Sequence, residues 1–450
     1  MAHNKPLNKF IQQNLLVGLG LLVMGIIPFL GTTAMAEDEI SAPSSNVWDH
    51  ATTEVVRGNS AKWSSSITGI VTKQNGAPIK DAVLAFDGQV VKTDMAGHFS
   101  LVTKSSGNGI LIQKPGFRKA LIMPITDSEL KIQLKPLSIN ALYIGDIALD
   151  NAEKMRAIGD QLQTTEMNAV VLDINTNGNP ISERVGRYVK IFHRKGVYTI
   201  ARIVTFNNAA AVRHHPELGI QDVDGGPWKG KKGSMFLNPY MPEARRYVVD
   251  IAIEAAKLGF DEIQFDYVRF PSDGPLARMQ FGHASNSDTR TAAISSFLRE
   301  ARTELQHYGV FIAADVFGDT AFVRTDSGIG QRIEDITKYL DFVCPMVYPS
   351  GYADNTGNLG NPVDHPKEIV ELSIRRYRLR ADPDTVIRPW LQSFTDYAFK
   401  THKPYHGAEV MLQVQGSEVA GGNGYLLWNA GGTYHLDGVT GKRGKALAGN

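Results

Sequence analysis

Apolar and polar positions follow two different rhythms along this chain. From 67 to 136, short Val/Ile/Leu runs alternate with the turn signals Asn75-Gly76, Asp87-Gly88, Ala96-Gly97 and Pro115-Gly116. Strands separated by such turns at close spacing predict a small antiparallel sandwich. Beyond Pro136 the unit lengthens to an apolar strand followed by an amphipathic helix, and it repeats. Strands are predicted at 142–149, 169–175, 198–206, 262–270, 311–317, 342–348, 386–394 and 425–430, with helical patterns such as "PEARRYVVDIAIEAAKLG" and "TRTAAISSFLREARTELQHYG" between them. Several of these helices end in glycine, at Gly196, Gly259 and Gly309, where a left-handed cap costs least. This alternation predicts an α/β fold: a TIM (β/α)8 barrel preceded by the small all-β sandwich. An open doubly wound sheet is the alternative, but no Gly-rich phosphate loop follows the first strand.

Barrel strands point alternate residues at the helices and into the lumen, and chemistry gathers at their C-terminal ends. In "GFDEIQFDYVRFP", Ile263, Phe265 and Tyr267 share the apolar face that suits the helical layer, which leaves Gln264 and Asp266 for the lumen. The same test turns Asp173 and Asn175 inward on the second strand and Asp315 inward on the fifth. Arg202 is assigned inward because an unpaired guanidinium under a helix is too costly. Arg388, Trp390 and Gln392 share a face of the seventh strand, and Trp428 ends the eighth. The predicted mouth therefore carries Asp173, Arg202, Asp266, Asp315 and Gln392, with Tyr348, Trp390 and Trp428 as walls.

Carboxylates, an arginine, amides and flat rings are what a sugar site needs. The competing reading of Asp173 and Asp266 is a structural ion pair with arginine. The connection 207–240 is far longer than an ordinary loop, which suits a binding role, and its Trp228 is either an exposed stacking platform or the plug of the loop. His214 and His215 have no further ligand at metal-binding spacing, so neither a metal nor another cofactor is expected.

A formal net charge of +1 gives no electrostatic case for nucleic acid as a partner. The single cysteine, Cys344, has no internal disulfide partner and reads as a small buried strand residue. Lys5 and Lys9 precede the apolar run 15–30, which closes on Ala34-Met35-Ala36. This is a secretory signal pattern over 1–36, with an uncleaved membrane anchor as the alternative. A polar, Ser-rich linker follows over 37–66, then the sandwich over 67–136 and the barrel over 137–450.

Gly69-Ile70-Val71, Ala82-Val83-Leu84 and Thr93-Asp94 through Gly97-His98-Phe99 resemble the carboxypeptidase regulatory-like domain, which implies a non-catalytic module. In the barrel, "YIGDIAL", "VVLDINTNG", "GFDEIQFDYVRFP", "AADVFG" and "CPMVYPSGY" occur in that order. Together they resemble a bacterial glycoside hydrolase family of TIM-barrel domains long classed as a domain of unknown function. The resemblance implies a carbohydrate substrate and a matching site at Asp266, Tyr267, Arg269, Phe270, Pro271, Asp315 and 345–348. By likeness to barrels that carry their nucleophile on strand four, it implies Asp266 as nucleophile or base and Asp315 as acid/base, with Tyr267 and Arg269 binding substrate. Two alternatives stand beside this: a non-catalytic polysaccharide-binding barrel, and an esterase or deacetylase, for which neither a G-x-S-x-G elbow nor a metal-ligand spacing is present.

Overall fold

The computed structural model describes residues 53–56, 66–86, 88–102, 109–123, 125, 128–174, 181–399 and 401–439. The expected signal segment, most of the linker, Asp87 and Asn175 lie outside the described residues. Eight parallel strands form the larger unit: β1 (Asn140–Ile144), β2 (Ala169–Asp173), β3 (Tyr198–Val204), β4 (Glu262–Asp266), β5 (Phe311–Phe317), β6 (Phe342–Met346), β7 (Val386–Ile387 and Trp390–Gln392) and β8 (Tyr425–Trp428). Each pairs with the next, and β8 pairs back onto β1, so the sheet closes without an edge. Between successive strands run α1 (Ala152–Thr164), α2 (Glu183–Arg194), α3 (Pro242–Lys257), α4 (Ser287–Leu305), the single turn α5 (Ile333–Ile336), α6 (Pro366–Arg378) and α7 (Gly407–Val419).

Local chemistry sets these boundaries. Asn151 caps α1 by accepting from the Lys154 amide, and Asn286 with Thr289 closes a capping box on α4. Gly259 and Gly309 end α3 and the turn after α4 at φ +96° and +67°, where a side chain would be strained. Most strands end a few residues before their predicted limits, and in three the reason for the stop or break is plain. The first stops at Ile144, and Asp146–Leu149 becomes a helical turn after Gly145. The fourth stops at Asp266 because Tyr267 sits at φ +50°. The seventh breaks at Arg388-Pro389, where proline has no N–H for the ladder.

Strand alternation builds two cores from one sheet. Leu142, Leu172, Ile203, Ile263, Phe265 and Val316 face outward and pack under the helices. Tyr143, Val171, Ile200, Phe311, Cys344 and Trp390 fill the lumen. Burial on both faces explains why these strands read as nearly unbroken apolar runs. Among the lumen residues Glu262 and Arg388 form a fully buried ion pair, joined by the Tyr198 hydroxyl at 3.1 Å from Glu262.

The N-terminal strands form two small sheets. One holds 54–56, 120–122, 110–113, 83–86 and 89–92; the other holds 98–102, 66–73 and 129–134. Ile67, Val71 and Leu101 of one sheet and Leu84, Phe86 and Ile112 of the other share a single core, as in a sandwich. The expectation of an antiparallel sandwich is corrected in part: 66–73 pairs with 129–134 in parallel, as does 54–56 with 120–122. Tight turns fix direction only between strands they join, and these pairs are far apart in sequence. The sandwich docks on the barrel end opposite the mouth. Lys119 is buried there, donating to the carbonyls of Asp261 (3.1 Å) and Gly309 (2.6 Å) with its ammonium 4.8 Å from the Phe311 ring centre. Burial draws its pKa down to about 8.

Candidate active site

Arg202 on β3 is the hub of the mouth. Its guanidinium donates to Asp173 on β2 through Nη1 and to Asp266 on β4 through Nη2 and, at 3.1 Å, Nε. Burial works against its charge, but the carboxylates of Asp173 and Asp266 more than offset this and hold its pKa well above the usual arginine value. The guanidinium also lies 5.1 Å from the Trp428 ring and 5.6 Å from that of Tyr143. These two rings stack on each other with centres 4.1 Å apart, and the Tyr143 hydroxyl donates to Asp173 at 2.5 Å.

The two predicted catalytic carboxyls occupy unlike surroundings. Asp266 is ion-paired to Arg202, and its other oxygen accepts the Tyr267 amide at 2.6 Å. Asp315 on β5 is buried at 1% exposure, and its Oδ1 accepts the Trp390 indole N–H at 2.7 Å. Phe265 pairs with Ala314, so the next residues, Asp266 and Asp315, come at one level on adjacent strands roughly 5 Å apart. Burial and then the neighbouring Asp266 charge push the Asp315 carboxyl well above the ordinary range, against the opposing pull of Arg202, Trp390 and Arg388. The proton on Asp315 is therefore held more tightly than on an ordinary carboxyl.

Aromatic walls complete the mouth. Tyr348, just beyond β6, feels both acids: burial, then Asp315 and Asp266, drive its hydroxyl pKa well upward. Trp390 and Trp428 meet edge to face at 5.6 Å. The loops after β3 and β4 are zipped into one rim segment by the pairing of Gln221–Asp222 with Met279–Gln280.

Three predicted contacts are placed differently. Trp390, expected as a wall, is buried at 1% exposure in the lumen with its indole N–H given to Asp315. Trp228 is fully buried, donates from Nε1 to the Pro275 carbonyl at 3.1 Å and lies edge-on to Phe236. It is the plug of its loop, because Gly230 and Gly274 let backbone close over the indole. Gln392 faces inward as the parity test requires, but its amide is engaged by protein: Oε1 accepts from the Ser350 amide (3.0 Å) and Nε2 donates to the Phe394 carbonyl (3.1 Å). It ties the turn after β6 to the end of β7 rather than presenting a free amide. The structure brings Asp173, Arg202, Asp266, Asp315, Tyr348, Trp390 and Trp428 together, with Tyr267 and Arg269 at the rim beside Asp266. The ion-pair alternative for Asp173 and Asp266 holds as geometry, since both are bonded to Arg202. Sequence reasoning missed Tyr143, although alternation along β1 from Ala141 already places it in the lumen. Among the described residues no group of three or more His, Cys, Asp or Glu is disposed to hold a metal ion.

A closed barrel whose C-terminal rim pairs two carboxyls on adjacent strands, bridges one of them with arginine and lines them with aromatic rings is a glycosidase-like TIM barrel. The chain belongs to the family described as "Putative glycosyl hydrolase domain", whose model matches residues 141–434. That span is the closed unit itself: it opens in β1 and ends at Tyr434, whose hydroxyl donates to the Tyr143 carbonyl at 2.7 Å. Similar solved structures include a hypothetical protein from Ruminiclostridium thermocellum, 31% identical over 39% of this chain and 97% of that one, with a TM-score of 0.35. The glycoside hydrolase domain of PgaB (BpsB) from Bordetella bronchiseptica is 16% identical over 66% of this chain and 95% of that one, with a TM-score of 0.49. The α-galactosidase TtGalA from Thermus thermophilus is 12% identical over 67% and 60%, with a TM-score of 0.43. No curated protein matches the chain.

Proposed function

We propose that the protein is an exported glycosidase that cleaves a poly- or oligosaccharide with Asp266 and Asp315. The observation that carries this reading is the unlike setting of two carboxyl groups at one level of adjacent strands: one ion-paired to Arg202, the other buried against an indole N–H. Asp315 delivers its proton to the leaving glycosidic oxygen as the bond to the anomeric carbon breaks. Asp266 attacks that carbon or activates a water against it, and water ends on the anomeric carbon in either case. Arg202 orients the Asp266 carboxylate, and the partly exposed rings of Tyr348 and Trp428 offer flat faces to the sugar ring. Export rests on the basic, apolar and small-residue order of 1–36, and the same segment left uncleaved is a membrane tether.

The test is reducing-end release from bacterial cell-wall and exopolysaccharide fragments by the wild type, Asp266→Asn and Asp315→Asn. The wild type is expected to cleave at least one, with the variants slower by about 100-fold or more. An Asp266→Asn variant that cleaves as fast as the wild type removes Asp266 from the mechanism. A non-catalytic polysaccharide-binding barrel is the second reading, favoured by the way Arg202 satisfies Asp173 and Asp266 as a structural network does. Glycan binding without turnover by the wild type would select it.

A further inference from the structure

Arg269 is a buried cation that the mechanism above does not use. Its guanidinium is stacked among three rings, 4.8 Å from Phe317, 5.0 Å from Tyr267 and 5.7 Å from Phe236. Phe317 lies two residues beyond Asp315, and Tyr267 follows Asp266 directly, so this cage stands at the rim beside the acid pair. Nη1 is fully committed, donating to the Phe270 carbonyl at 2.9 Å and to Ser272 Oγ at 3.1 Å. Nε and Nη2 have no protein partner among the described residues, and the residue keeps 6% of its surface open.

A guanidinium at this depth ordinarily carries a counter-charge, because burial penalises the charged form. Burial here lowers the arginine pKa, with Tyr267, Asp266 and Asp273 only partly opposing it. Asp266 is taken by Arg202, and Asp273 makes no ion pair with Arg269 among the described residues. What remains free is the Nε–Nη2 edge, the side of the fork whose N–H groups donate in parallel to the two oxygens of a carboxylate. We propose that this edge of Arg269 is a subsite for a sugar that carries a carboxylate, such as a uronic acid, in the unit adjoining the cleaved bond. The proposal rests on the mouth being a sugar site and narrows the substrate class to acidic glycans. It also assigns the aromatic cage a purpose: the rings hold the guanidinium plane while leaving its outer edge for ligand.

The test measures binding on an array of uronate-bearing, sulfated and neutral glycans, each uronate also present in carboxyl-reduced form, with the full-length protein, Arg269→Met and Arg269→Lys. The wild type is expected to retain uronate-bearing glycans and to bind their carboxyl-reduced forms about 10- to 100-fold more weakly. Arg269→Met loses that difference, and Arg269→Lys, which keeps the charge but not the fork, recovers only part of it. The reduced glycans probe the unaltered protein, so the result stands even where a variant folds poorly. Wild-type retention of neutral or sulfated glycans only, retention of no uronate glycan, or equal binding of native and reduced forms overturns the proposal. Binding is read without turnover. A carboxylate preference without hydrolysis therefore sinks the glycosidase reading alone, and hydrolysis confined to neutral glycans sinks this one alone.

Discussion

Trp390→Phe isolates the hydrogen bond that most directly tunes Asp315. Phenylalanine keeps a flat ring edge-on to Tyr143 and Trp428 but removes the indole N–H that lies 2.7 Å from Asp315 Oδ1. That donor favours the charged carboxylate, so its loss drives the Asp315 pKa further up. A hydrogen bond to a charged group is worth about 1.5–3 kcal/mol, and that is the stabilisation the charged carboxylate loses. An acid whose folded pKa lies above its unfolded value adds stability that is complete below the unfolded value and is lost as pH rises through the folded one. Trp390→Phe widens that window at its upper end. The assay is infrared titration of the carboxyl C=O band, with Asp315→Asn subtracted to isolate one group, alongside the pH profile of kcat/KM on a cleaved substrate. The titration midpoint and the alkaline limb are expected to move up together. A midpoint that stays put or falls would refute the claim that the indole N–H tunes this acid.

Two further outcomes test the surroundings of the site. Trp228→Ala removes the plug of the β3 loop and is expected to cost about 3–5 kcal/mol in chemical denaturation, with the glycan affinity of the folded protein unchanged; affinity lost without stability would restore the platform role. Lys119→Met replaces the buried ammonium on the barrel floor. Its folded pKa of about 8 lies below the ordinary 10.5, so the unfolded chain binds more protons between those values and wild-type stability rises with pH there relative to the variant, by about 3 kcal/mol in all. Unfolding curves at pH 7 and pH 10 that show no such divergence would mean the ammonium is not desolvated at the interface.

The barrel was legible because its period is long and its strands are buried on both faces, so the apolar runs stand out even where their ends do not. Parity then located the lumen carboxyls, since alternation depends only on counting, and the cost of burying an unpaired guanidinium located Arg202: Asp173, Asp266 and Asp315 all act on it as a hub. Counting does not give depth or company. Gln392 is on the predicted face, yet the turn at Ser350 and the carbonyl of Phe394 claim its amide. Trp228 lies in a Gly-rich loop whose sequence fits platform and plug alike, and the residues that cover it include Gly274 and Pro275, more than forty positions away in the chain. The left-handed Tyr267 ends β4 at the acid itself, a backbone choice invisible in a strand-like run. Tyr143 needed only the same parity count on β1 to be found.

The central claim is that Asp315 and Asp266 divide the work, one giving a proton and the other meeting the anomeric carbon. Hydrolysis of one glycone carrying either an acidic phenol or a simple alkyl alcohol as leaving group separates these roles, because only the alcohol needs a proton to depart. The division predicts that Asp315→Asn keeps most of its rate on the phenyl glycoside and loses it on the alkyl one, whereas Asp266→Asn loses both. Equal losses on the two leaving groups in Asp315→Asn would contradict it.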